Sequence, residues 1–110
     1  MLGMNQQRLK GHLPMLLLAV LESRPAHGYA VLEELRRRSG GELDLPEGTV
    51  YPALHRLEAS SLVRSRWETI GGRRRRVYST TAKGRKALVD ERRSWTAFAR
   101  VITAVAGGSS

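Results

Sequence analysis

Cysteine is absent from the sequence, which excludes disulfide staples and thiolate metal sites and agrees with an expected cytoplasmic location. Long apolar runs are missing too. The longest, residues 15–21, falls far short of the roughly 20 residues that span a bilayer, so no membrane association is expected. It also makes a poor signal peptide, because Pro14 breaks into it, and Glu22 and Arg24 follow where small residues should lead to cleavage. Aspartate occurs only at 44 and 90, and His12, His27 and His55 are scattered without a ligand spacing. No catalytic group, metal or cofactor is therefore expected, and the chain reads as a non-enzyme. Gly71-Gly72 lacks the Lys-Ser/Thr of a phosphate loop and precedes arginines, so it is read as a hairpin turn.

What is present is positive charge, and its placement matters more than its total. The net charge is +9 over 110 residues. Residues 1–61 hold seven basic and seven acidic side chains, which cancel; residues 62–86 hold nine basic side chains against Glu68 alone. A solvated face usually mixes signs, whereas one-sign loading of 25 residues is the footprint of a phosphate-binding surface. Arg73, Arg74, Arg75, Arg76 and Lys83 within it are the candidate phosphate contacts. An alternative use of those arginines is to blunt an exposed sheet edge.

The apolar spacing gives the elements. Leu13, Leu16, Leu17, Val20 and Leu21 make a helical stripe over residues 12–23, with Pro14 in its first turn. A second helix is expected from His27 or Gly28 to Arg38, with Val31, Leu32 and Leu35 inward and with Glu33–Arg37 and Glu34–Arg38 as i,i+4 pairs. Residues 24–26 read as a connector, and residues 42–45 as a short strand or extended link. In a third helix, expected over residues 49–59, Val50, Ala53, Leu54 and Leu57 share one face. The other face carries Tyr51, Pro52, His55, Arg56 and Ala59, contains no acid, and suits a polyanion. Starting that helix at residue 49 keeps Pro52 in the first turn, where amide donors are unpaired anyway.

Residues 62–67 and 77–80 alternate like strands of a basic-tipped ribbon. Thr81 is the natural N-cap of a last helix, although Gly84 stands where a full capping box has an acid. Leu88, Trp95, Phe98, Ile102 and Val105 then follow at the spacings of a coiled-coil seam, the candidate dimerisation surface. The organisation expected is a mobile segment over residues 1–11, a mainly α (α+β) winged helix-turn-helix domain over 12–80, a dimerisation helix over 81–106, and a disordered tail over 107–110.

The motifs His27-Gly28-Tyr29, Gly48-Thr49-Val50-Tyr51-Pro52-Ala53-Leu54 with Arg56-Leu57-Glu58, Leu62-Val63 with Trp67, and Tyr78 with Thr81-Ala82-Lys83-Gly84 resemble those of PadR transcriptional regulators, in order, across residues 12–86. The resemblance implies a repressor that is dimeric through its last helix and binds an inverted-repeat operator in double-stranded DNA. It is similar to the short branch of the family, with one C-terminal helix. It further implies that Tyr29 and Tyr51 contact phosphates and that Thr49, His55 and Arg56 lie nearest the groove. Some members hold flat aromatic compounds between tryptophans such as Trp95, which makes Trp95 and Phe98 candidate contacts for a small aromatic effector; a tryptophan that merely fills the dimer core is the competing reading. Thr80 and His55 depart from residues common in the family, which bears on wing packing and base preference. An RNA-binding winged helix and a winged-helix protein-interaction module are the alternatives.

Overall fold

The structure, a computed structural model, describes residues 6–107. Its elements in chain order are α1 (Gln6–Lys10), α2 (Leu13–Ser23), β1 (Ala26–His27), α3 (Gly28–Arg38), α4 (Glu47–Ala59), β2 (Val63–Ile70), β3 (Arg73–Thr80) and α5 (Ala82–Ala106). Part of the segment read as mobile, residues 6–10, is thus helical, and Leu9 packs against the core. The rest of that segment up to residue 5, and the tail from residue 108, lie outside the described residues.

Helices α2, α3 and α4 pack their apolar faces together, and Leu17, Val31, Val50 and Leu54 at the centre are completely buried. All four residues assigned to the inner face of α4 are buried, while on α2 the buried set includes Leu18, with Leu16 only partly covered. Leu43 and Leu45 drop into the same core from an extended link, so the residue 42–45 alternation reflects docking and not a strand. The short strand lies earlier: Ala26 and His27, expected as connector and helix start, pair antiparallel with Tyr78 and Val77 of β3. The sheet order is β1-β3-β2. Strand β3 is thus central, and Tyr78 is buried because its side chain joins Val63 in the hydrophobic core.

Two further boundaries differ from the sequence reading. Helix α4 starts at Glu47, because the Pro46 carbonyl accepts from the amides of Thr49 (3.0 Å) and Val50 (3.2 Å). Pro52 therefore lies inside the helix and brings no N–H to the Gly48 carbonyl. The ribbon strands also run out to the turn, Ile70 pairing with Arg73 across Gly71 and Gly72. Both glycines have positive φ, as a two-residue hairpin turn requires. On α3 the expected Glu34–Arg38 pair forms at 2.7 Å, but Arg37 also turns to Glu34, and Glu33 meets Arg36 in its place. Those two arginines hold the Glu34 carboxyl down at about 2.

Candidate nucleic-acid interface

The recognition face is assembled at the N-terminus of α3. His27 caps that helix, its Nδ1 accepting from the Ala30 amide at 3.3 Å. Burial, and then the nearby Arg75 charge, lower the His27 pKa, which keeps the imidazole in the neutral form that a cap acceptor needs. Directly after it, Gly28 makes room for Tyr51: a Cβ at residue 28 would lie 2.2 Å from the Tyr51 ring. The His-Gly-Tyr and Gly-Thr-Val-Tyr-Pro motifs are therefore two halves of one contact, by which the aromatic ring of α4 lies over the first turn of α3.

Between α3, α4 and the ribbon runs an open cleft of about 300 Å³ bordered by Tyr51, His55, Trp67, Arg74, Arg75 and Arg76. His55 and Arg56 project from α4, both exposed; Thr49 and Tyr51 are half-buried. Burial, and Glu47 after it, raise the pKa of the Tyr51 hydroxyl. Tyr29 is exposed, but it lies outside this cleft in a second depression with Glu33, Arg36 and Glu47, and its pKa is raised by a hydrogen bond to Glu33. Acids thus surround Tyr29 in a way they do not surround Tyr51.

The four arginines of β3 are not equivalent. Alternation places Arg73 and Arg75 on one face and Arg74 and Arg76 on the other, and the register sets Trp67 opposite Arg76. Arg76 donates through Nε to the Ser65 hydroxyl (2.8 Å), which donates in turn to Glu58 (2.6 Å), and its guanidinium also lies 3.8 Å from the Glu58 carboxylate. It joins the wing to α4. Lys83, another candidate contact, spends its ammonium on the Ser60 carbonyl at 2.8 Å, at the C-terminus of α4. Among the described residues, Arg56, Arg73, Arg74 and Arg75 have no carboxylate within ion-pair distance. They are the uncompensated cations of this surface.

The exit from α4 is bound to the entry of α5. Ser61, at φ 63°, takes the left-handed position after the helix, and the Leu62 and Ser61 amides return to the Leu57 (2.9 Å) and Glu58 (2.9 Å) carbonyls. The Thr81 hydroxyl donates to the Ser61 carbonyl (2.6 Å) and accepts from the Gly84 amide (3.0 Å), forming the expected N-cap. Gly84 lies so close to the Leu62 carbonyl that a Cβ would sit 2.0 Å from the oxygen. That approach is the reason a glycine stands where a capping box has an acid.

Along α5, Leu88 is fully buried inside its own protomer against α2, and so offers no surface to a second copy. Arg92 makes a two-pronged contact with Glu22 of α2 (2.9 and 3.2 Å), and Trp95 meets His12 edge-on at 5.3 Å. Beyond them the helix leaves the domain. Trp95, Phe98, Val101, Ile102 and Val105 are 46–84% exposed. A shallow groove of about 270 Å³ beside Trp95 and Phe98 is closed on the α2 side by His12 and Met15. No helix among the described residues is long and apolar enough to cross a membrane.

Sequence reasoning missed three participants: His27 as a cap, Gly28 as the seat of Tyr51, and Trp67 as a cleft wall. The last was legible, since a two-residue turn at Gly71-Gly72 fixes Trp67 opposite Arg76.

Residues 17–90 match the family described as "Transcriptional regulator PadR-like family". A transcriptional regulator of Mycobacterium tuberculosis is 43% identical over 84 residues, covering 76% of this chain and 73% of that protein. Among solved structures, a PadR-family transcription regulator from Clostridium difficile superposes with a TM-score of 0.77 at 29% identity, covering 86% of this chain and 97% of its own. Another from Eggerthella lenta gives 0.81 at 29%, covering 94% and 89%.

Proposed function

The chain belongs to the PadR-like family of transcriptional regulators, and from that premise we propose that it is a cytoplasmic repressor that binds an inverted-repeat operator as a homodimer. It is a regulator and not an enzyme. The observation that carries the proposal is that, among the described residues, Arg56 on α4 and Arg73, Arg74 and Arg75 on the wing have no carboxylate within ion-pair distance, and that Arg74 and Arg75 border the cleft that holds Tyr51 and His55. In this reading α4 enters the major groove with Thr49, His55 and Arg56 toward the bases, and the wing and Tyr51 meet flanking phosphates. An RNA reading is less well supported, because both neighbouring arginines already occupy the Trp67 ring that a splayed base would use.

The homodimer is supported by the apolar stripe from Trp95 to Val105, which stays 46–84% exposed in the single chain although His12 meets Trp95 at its inner end. Paired about a two-fold axis, two copies would set their recognition helices about 34 Å apart, the spacing of successive major grooves on one side of a duplex. Release by a flat aromatic effector is a further reading, favoured by the groove beside Trp95 and Phe98. The test of the dimer is truncation after Arg93: the shortened protein should sediment as a monomer and hold only a half-site, weakly. A truncated protein that remained dimeric would overturn the assignment of the seam. For the effector, planar aromatic compounds that quench Trp95 should also weaken operator binding; quenching without that effect would leave the groove unconnected to DNA.

A further inference from the structure

We infer that Trp67 is a positioning residue of the wing, a ring that holds Arg74 aligned for a DNA phosphate before DNA arrives. The inference rests on the DNA-binding reading above and deepens it. Trp67 is 54% exposed, although it belongs to the strand face that further down carries the buried Val63 and Tyr78. An indole left half in water at that place is accounted for by what covers it: the guanidinium carbons of Arg74 and Arg76 lie 5.4 and 5.3 Å from its centroid. The two arginines differ in what else they touch. Arg76 is tied down by Ser65 and Glu58, whereas Arg74 has the ring and no carboxylate. Without the ring, the neighbouring Arg76 charge would repel Arg74, and its long side chain would sample many rotamers. With it, an uncompensated guanidinium is fixed beside the cleft that holds Tyr51 and His55, so less ordering remains to be done on binding.

The test uses the full chain with Trp67→Leu, Trp67→Phe, Arg74→Ala and the Trp67→Leu/Arg74→Ala pair, with operator affinity measured against salt at a temperature where each variant is folded. Trp67→Leu leaves the net charge unchanged, yet affinity should fall roughly three- to tenfold. The log–log salt slope should drop as it does for Arg74→Ala, by up to about 0.9. Arg74→Ala should add less than about twofold in the Trp67→Leu background, the mark of two residues acting through one contact. Trp67→Phe, which keeps a π face, should recover most of the affinity. Unchanged affinity and slope in Trp67→Leu, independent effects in the double variant, or a Phe variant as weak as Leu would each overturn the inference. The free protein supplies a readout independent of DNA: the Arg74 side-chain protons should carry a ring-current shift that Trp67→Leu removes. Unshifted Arg74 signals in the native protein would refute the positioning role, whereas shifted signals in a protein without operator binding would sink the DNA reading instead.

Discussion

Replacing Gly84 by Ala probes the junction between the recognition helix and the long helix. Viewed as an isolated helix position the change should stabilise, since alanine exceeds glycine in helix propensity by about 1 kcal/mol. The structure predicts the opposite sign. The new Cβ would stand 2.0 Å from the Leu62 carbonyl oxygen and 3.4 Å from Leu18 Cδ2. The oxygen is backbone, held in place by the Thr81 amide at 3.2 Å, so a side-chain rotation cannot relieve the contact and α5 must move off the end of α4. Overpacking of this kind costs about 1–3 kcal/mol and sometimes more. Taking the upper end and subtracting the propensity gain leaves a net loss of about 2 kcal/mol. For a chain of this size that lowers Tm by roughly 8–16 °C at fixed protein concentration. Gly48→Ala is the control, because nothing lies within 4 Å of a Cβ there. It should be neutral or stabilise by up to about 1 kcal/mol. Thermal and urea unfolding followed by circular dichroism measure both. A Gly84→Ala protein at or above native stability would refute the close approach.

The same junction contains a non-glycine residue at positive φ, so Ser61→Gly should stabilise by roughly 1 kcal/mol, read as a raised urea midpoint. The wing arginines should separate: Arg73→Ala should leave Tm unchanged and reduce the salt slope of operator binding by up to about 0.9. Arg76→Ala should lower Tm by breaking its Ser65 and Glu58 contacts and change the slope less, as salt titrations of both variants check. Stability should fall with acid in two stages. The His27 pKa is lowered from 6.5, so its cap contributes fully above that value and is lost as pH falls through the depressed one; His27→Asn keeps a cap and should abolish this stage in Tm measured against pH. Glu22, lowered by Arg92, and Glu34, held at about 2, contribute above pH 4.5 and are lost below it, an effect kept small because Glu22 is exposed and Glu34 only half-buried, so solvent screens both.

Much of the fold was legible because periodicity reports burial directly: Val50, Ala53, Leu54 and Leu57 had to share a face, and the two glycines after Ile70 had to turn a hairpin. What was not legible depended on contacts between distant segments. Nothing local marks Ala26 and His27 as a strand, since they become one only by pairing with β3. Leu88 fits the seam by spacing, but the end of α5 that lies on α2 buries it within the protomer. Likewise the run of four arginines carries one charge pattern in sequence, and its division into anchored, stacked and uncompensated members appears only once Glu58, Ser65 and Trp67 are placed beside it.

The central claim is sequence-specific DNA binding by two copies of the chain, and the most direct measurement is selection of bound duplexes from a random-sequence pool, with the mass of the resulting complex determined in solution. The account predicts enrichment of an inverted repeat whose half-sites are centred about 10 bp apart, bound by two protomers. Recovery of unenriched DNA, with equal affinity for selected and random duplexes at moderate salt, or a selected site occupied by a single protomer, would contradict it.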